Sequence, residues 1–375
     1  MTLHKLSPAA AEESLQPLVA NLGITHEDYS LAHAIVKARV AQASRLTMSA
    51  FPIYRIWRVA VRGKVGTVFD DFGLQSGLTP QRLLEGDLFL EGPGAFVNLD
   101  GYQKAGYCSC TIEIWADSVA RAQEVLGTLL KIVESRRVQQ QSFLIDWYFV
   151  GCGGNLANTS FEELAQEELH DEAYPILGEP VIDFVRRFLA ANETVLVILG
   201  PPGAGKTRLV RAILGELSRR KGRSAEIMYT CDKRALDSDE IFVSFITRSH
   251  DAFVIEDADH ILTPRAQGNI DLHRFLAIAD GVVRAQGRKI IFTTNLPNVG
   301  DLDEALLRPG RCFAAIHTRS LTPAEGAKLI ARICGGEVER ENAALAEAFP
   351  PGTKSASVAA IYRACGSRDL SPATV

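Results

Sequence analysis

Residues 200–207, Gly-Pro-Pro-Gly-Ala-Gly-Lys-Thr, follow the pattern G-x-x-x-x-G-K-[ST] and constrain this chain more than any other segment. Thr194-Val-Leu-Val-Ile-Leu199 runs into them as a continuous apolar stretch, the pattern of a strand buried on both faces of a parallel sheet. A helical stretch, Arg208 to Arg220, leaves them. In that strand–turn–helix setting, Gly200, Pro201, Pro202, Gly203, Ala204 and Gly205 form a turn whose backbone N–H groups face inward and wrap phosphates. The helix N-terminus adds partial positive charge there. Lys206 is expected to bridge the β- and γ-phosphates of a nucleoside triphosphate, and the Thr207 hydroxyl to ligate Mg²⁺, with Arg208 beside them at the start of the helix.

Three more apolar runs follow, Ala225 to Tyr229, Ala252 to Ile255 and Lys289 to Thr293, separated by helix-like stretches. Such alternation predicts an α/β doubly wound parallel sheet. Residues 318–375 read as a small helical lid, interrupted at Gly335-Gly336 and Pro350-Pro351-Gly352. The first ~45 residues read as two helices, one over Pro8 to Leu22 and one over His26 to Leu46. Tyr54 to Val61, Thr111 to Trp115 and Ser142 to Val150 alternate like strands, and a helix capped at Asp117 or Ser118 runs to Val133. These segments predict an α+β domain over residues 1–160, then the α/β domain over 161–317, with helix from Phe161 to Ala191 at its entrance. Cys108 and Cys110 point to one face of a strand, where they read as small apolar packing rather than metal ligands.

Phe253-Val-Ile-Glu-Asp-Ala-Asp259 ends an apolar strand in carboxylates, and ligands of open α/β sheets bind at those C-terminal strand ends. By position Glu256 takes the metal-side role and Asp257 that of the base orienting the attacking water; Asp259 either joins them or caps the next helix. Asn295, closing Ile290-Ile-Phe-Thr-Thr-Asn295, is placed between the γ-phosphate and that water. In Asp303-Glu-Ala-Leu-Leu-Arg-Pro-Gly-Arg311, Arg308 and Arg311 flank a Pro-Gly turn and present guanidinium groups suited to a phosphoryl transition state.

GPPGAGKT, FVIEDAD, FTTN and LLRPGR occur in the order and spacing of the AAA family of AAA+ ATPases, which residues 173–318 and the lid beyond resemble. The resemblance implies ATP and Mg²⁺ as ligands. It also implies a homo-oligomeric ring of six or seven subunits with nucleotide at each interface, and Arg308 and Arg311 as fingers reaching the neighbour. That family usually orders the acidic pair Asp–Glu; here the order is inverted, which shortens the base by a methylene. The inverted pair, the short passage from Tyr229 to the acidic strand, and Phe275 to Gly281 before FTTN resemble the mitochondrial AAA translocase of the Rieske iron–sulfur protein. No apolar stretch long enough to span a bilayer precedes the motif, so a cytoplasmic bacterial or phage relative is expected. The loop expected to grip a threaded peptide, Thr230 to Asp239, has no aromatic residue, and Phe242 and Phe245 are expected to pack a helix face.

Composition separates the remaining roles. With 40 basic and 45 acidic residues the formal charge is −5, and no basic stripe with interleaved aromatics is present, which disfavours a nucleic-acid motor or loader. The N-terminus has neither a signal-peptide nor a transit-peptide pattern, and seven scattered cysteines suit a reducing compartment. The expected function is therefore an ATPase ring that remodels or moves a protein partner recruited through the N-terminal domain. A slowly hydrolysing nucleotide switch is the alternative set by the inverted carboxylates.

Overall fold

A computed structural model describes residues 38–43, 51–84, 86–104, 106–138, 142–165, 169–264, 272–280 and 287–366. The chain divides into two compact units, Met1–Gln139 and Gln140–Val375. Most of the two helices expected in the first 45 residues lies outside the described residues; 38–43 is helical.

In the first unit β1 (Ile53–Arg62) is followed by α1 (Val65–Gln75), β2 (Thr79–Leu84), β3 (Asp87–Gly92), β4 (Ala95–Lys104), β5 (Tyr107–Ala116) and α2 (Val119–Val133). The strands form an antiparallel sheet in the order β1-β5-β4-β3-β2. Alternation along β5 explains the layering. Cys108, Cys110, Ile112, Ile114 and Ala116 enter the core shared with Phe69 and Phe72 of α1 and Leu129 of α2, while Trp115 joins Phe89 and Phe96 in a smaller cluster. Cys108 and Cys110 are both fully buried, their Sγ atoms 3.6 Å apart, inside that apolar core. Ser118, whose Oγ accepts from the Arg121 N–H at 3.2 Å, starts α2 as its cap residue. The sequence reading located β1, β5 and α2 but not α1 or β2 to β4; Pro80 and polar Gln81-Arg82 deprive edge strand β2 of a recognisable alternation.

The second unit begins with a hairpin, β6 (Ser142–Val150) and β7 (Leu156–Leu164), then α3 (Val181–Ala190), β8 (Val195–Leu199), α4 (Lys206–Lys221) and β9 (Ala225–Thr230). It continues through α5 (Lys233–Asp237), α6 (Asp239–Thr247), β10 (Ala252–Ile255), α7 (Asp259–Leu262), α8 (Leu272–Asp280), β11 (Lys289–Thr294) and β12 (Cys312–His317). Helices α9 (Pro323–Cys334), α10 (Val338–Ala348) and α11 (Val358–Ala364) form the lid. The sheet order is β12-β8-β11-β10-β9-β6-β7, parallel throughout except for the terminal β6–β7 pair. This is a doubly wound α/β fold.

Two expectations are corrected. Ser142 to Val150 belongs to the nucleotide-binding sheet, because β6 pairs in parallel with β9; the compact units therefore divide near residue 139 rather than 160. Residues 161–191 are not continuously helical: β7 ends at Leu164 and α3 starts only after Pro180. Leu156 to Leu164 reads as polar, because Asn158 to Ser160 of this edge strand are exposed.

The central strands bury almost every side chain, and Phe253, Phe275 and Phe292 interlock on one face with ring centroids 5.1–5.9 Å apart. Phe242 packs edge-on to Phe275 and Phe245 leans on Phe253, so both serve the core. The lid is anchored by a capping box: the Thr322 hydroxyl accepts from the Glu325 N–H at 3.3 Å, and the Glu325 carboxylate accepts from the Thr322 N–H at 2.9 Å. Arg319 clamps the same carboxylate with two bonds of 2.7 and 2.8 Å. Arg319, then the Thr322 N–H, hold the Glu325 pKa down at about 2. A carboxylate depressed in the fold stabilises it above its ordinary value near 4.5, and loses that contribution as pH falls towards 2. Thr322→Ala is expected to cost about 1 kcal/mol, read as a lower thermal midpoint at pH 7.

Candidate nucleotide-binding site

Three glycines shape the turn between β8 and α4. Gly200, Gly203 and Gly205 have φ of 143°, 77° and 89°, in the region that side chains rarely adopt. Each is also packed. A Cβ on Gly200 would fall 2.2 Å from the Thr318 carbonyl oxygen, and one on Gly205 would fall 2.8 Å from the Tyr174 hydroxyl. The Tyr174 hydroxyl donates to the Gly205 carbonyl at 2.8 Å, and the Ala359 N–H of the lid donates to the Gly203 carbonyl at 3.0 Å. The turn is thus held from outside, and its interior stays open.

That interior is a cleft of ≈ 450 Å³ lined by Pro202, Gly203, Gly205, Lys206, Thr207 and Arg208 from the turn and α4. Glu256, Asp257, Thr293 and Asn295 line it from the ends of β10 and β11, and Val358 and Ala359 from the lid. Gly200, Pro201 and Ala204 are not in its lining; Gly200 and Pro201 offer carbonyls to Lys206, and Ala204 is buried. The parallel register explains the convergence, because β8, β10 and β11 all end on the same side of the sheet.

The polar side chains form two hydrogen-bonded sets, one through Lys206, Asn295 and Asp257 and one through Thr207, Glu256 and Tyr229. The Lys206 ammonium donates to the Gly200 carbonyl at 2.7 Å and to Asn295 Oδ1 at 2.8 Å. Asn295 Nδ2 donates to Asp257 Oδ1 at 3.0 Å. Thr207 Oγ1 donates to Glu256 Oε1 at 3.0 Å, and the Tyr229 hydroxyl donates to Glu256 Oε2 at 2.8 Å. Glu256 therefore lies on the Thr207 side and Asp257 on the Asn295 side. Burial lowers the Lys206 pKa against the opposing pull of Asp257, Asp259 and Glu256. Burial, then the Glu256 charge, raise that of the Tyr229 phenol, which stays a hydrogen-bond donor.

Asp257 has φ of +51°, the one positive value outside glycine among the described residues. Aspartate tolerates this conformation better than most side chains, and the turn sets its carboxylate against Asn295. Asp259 does not cap the following helix. Its Oδ1 accepts from the Thr294 hydroxyl and from the Asn295 N–H at 2.8 Å, tying the ends of β10 and β11 together. Neither Tyr229 nor Tyr174 was singled out from sequence as a site residue; a lone tyrosine in an apolar strand or turn carries no spacing signal.

Arg308 and Arg311 lie elsewhere. The Arg311 carbonyl accepts from the Val195 N–H at 3.1 Å, at the start of β8, whereas the phosphate-binding turn follows its end. A five-residue strand separates the two by roughly 16 Å. The Arg311 guanidinium donates to the Ala305 carbonyl at 2.8 Å, and Arg308 is exposed. Arg208, at the lid side of the cleft, holds its guanidinium 3.8 Å from the centre of the Tyr362 ring.

A glycine turn closed by backbone contacts, a lysine, a threonine and a carboxylate pair at the sheet edge define a P-loop nucleotide-binding domain. Residues 196–320 match the family model described as the ATPase family associated with various cellular activities (AAA). The mitochondrial chaperone BCS1 of Danio rerio is 26% identical over 204 residues, which cover 50% of this chain and 47% of the relative. The probable mitochondrial chaperone bcs1 of Schizosaccharomyces pombe is 26% identical over 173 residues, 44% of this chain and 37% of the relative. The ATP-dependent zinc metalloprotease FtsH of Acidimicrobium ferrooxidans is 32% identical over 149 residues, 35% and 22% respectively. Residues 196–320 thus carry the features of an AAA domain, and the chain is similar to BCS1-type chaperones over about half its length. It spans less than half the length of each of these relatives. Among the described residues, no helix is long and apolar enough to cross a membrane.

Proposed function

We propose that this protein is a ring-forming ATPase of the cytoplasm that couples ATP binding and hydrolysis to remodelling or translocation of a protein partner, recruited through its first unit. The observation that carries this reading is the direct hydrogen-bonded convergence of Lys206, Thr207, Glu256, Asp257 and Asn295 on one cleft. The names of the BCS1 relatives, which are chaperones, favour a protein as the object of the work. Seven free cysteines suit the reducing cytoplasm.

The triphosphate lies along the turn, its oxygens accepting from backbone N–H groups and from Lys206, which releases the Gly200 carbonyl to reach them. Thr207 Oγ1 and Glu256 are hard oxygen donors side by side, a set that fits Mg²⁺ directly or through its waters. Mg²⁺ supplies charge neutralisation at the β- and γ-phosphates when bound. Asp257, steadied by Asn295 Nδ2, accepts a proton from the water attacking the γ-phosphorus. The bond to the β-phosphate bridging oxygen breaks, leaving ADP and phosphate.

The Arg311 backbone lies at the opposite end of β8, which supports Arg308 and Arg311 acting on a neighbour's nucleotide rather than their own. In purified Arg308→Ala protein, turnover is expected to fall by about 10³-fold. Mixing with Lys206→Ala subunits is expected to restore part of it, because each Lys206→Ala subunit still offers Arg308 to its neighbour. Absence of rescue on mixing would contradict action across an interface.

A further inference from the structure

We infer that Tyr229 is a positioning residue for the metal end of the nucleotide site, its phenol fixing the Glu256 carboxylate so that one oxygen stays turned to Thr207; this rests on the nucleotide reading above. The two oxygens of Glu256 are divided between two donors. Oε2 accepts from the Tyr229 hydroxyl at 2.8 Å and Oε1 from Thr207 Oγ1 at 3.0 Å. Tyr229 is on β9, paired in register with Val254 of β10, so its ring reaches across to the carboxylate two residues further along the adjacent strand. Trp147 of β6, in register with Tyr229, sets its ring edge-on at 6.3 Å and 74°.

What surrounds this contact explains why the phenol matters. The ring borders a second cavity of ≈ 310 Å³, walled by Phe143, Ile145, Trp147 and Phe161, with Thr207 and Glu256 also in its lining. On that side the neighbours of Glu256 are mostly apolar, and the tyrosine hydroxyl is the donor that meets Oε2. A glutamate has three rotatable bonds, and ordering it costs side-chain entropy. The phenol offsets that cost before the cation arrives. Without it Glu256 samples rotamers that turn away from Thr207, and the metal pair must be assembled during binding. A tyrosine present only to line the cavity would be replaced by phenylalanine without consequence.

Tyr229→Phe keeps the ring and removes the hydroxyl, and the test reads binding rather than turnover. A fluorescent ATP analogue is titrated into the full chain with EDTA and then at increasing Mg²⁺. In EDTA the variant is expected to bind within about twofold of wild type. The Mg²⁺ concentration giving half of the metal-dependent gain in affinity is expected to rise about tenfold, the worth of one hydrogen bond to a charged group. In a Glu256→Gln background, adding Tyr229→Phe is expected to change that concentration by less than about twofold, because the two act as one unit. Wild-type Mg²⁺ dependence in Tyr229→Phe overturns the inference, as does an equal loss of affinity with and without the metal. Wild-type protein that gains no nucleotide affinity from Mg²⁺ overturns the nucleotide reading, and this inference with it.

Discussion

Lys206→Ala is expected to lower ATP affinity by about a hundredfold or more while leaving the thermal midpoint close to wild type. The ammonium is half-buried among backbone carbonyls and Asn295, where its charge is poorly screened. It is the cation bonded to the turn's own carbonyls, so its loss removes the charge-assisted bonds to the triphosphate together with the field that draws it in. The fold loses little, because the Gly200 carbonyl and Asn295 Oδ1 face an open cleft and take water instead. Calorimetric titration with Mg·ATP is the check. Wild-type affinity in this variant would refute the phosphate cradle.

Asp257→Asn is expected to retain ATP affinity within a few-fold and to slow hydrolysis by about 10²- to 10⁴-fold, the usual worth of a positioned base. The amide keeps the size and the contact with Asn295 but cannot accept the water's proton. Glu256→Gln should instead raise the Mg²⁺ requirement, since Glu256 is the carboxylate bonded to Thr207. Single-turnover assays at saturating Mg²⁺ separate the two. Should Glu256→Gln alone stop the reaction while Asp257→Asn hydrolyses normally, the two roles are exchanged.

The inverted order of the acidic pair gains a physical meaning from these contacts. Glutamate at 256 is long enough to touch both Thr207 on α4 and Tyr229 on β9. Aspartate at 257 is carried towards Asn295 by a backbone turn that aspartate tolerates, so backbone conformation compensates for the shorter side chain.

The parts of this site that were legible in the sequence are those where chemistry dictates spacing. A turn that wraps phosphates needs glycines at 200, 203 and 205, and a strand that ends at a ligand shows an apolar run closed by polar residues, as at 253–257 and 290–295. Contacts made by single residues from distant segments were not legible. Tyr229 reaches Glu256 only because β9 and β10 pair in one register, and Tyr174 meets Gly205 through a tertiary approach across 31 positions. Strand β6 was assigned to the wrong unit for the same reason, since local alternation reveals a strand but not the sheet that receives it.

The composite site is the claim on which the ring, the fingers and the mechanism all depend. Imaging Asp257→Asn protein by electron cryomicroscopy in Mg·ATP tests it most directly, because blocked hydrolysis holds the loaded state. Closed rings of six or seven subunits, with Arg308 or Arg311 of one subunit against the γ-phosphate held by the next, are the expected result. Single subunits with nucleotide seated in the cleft, or rings whose arginines point away from every nucleotide, would contradict it.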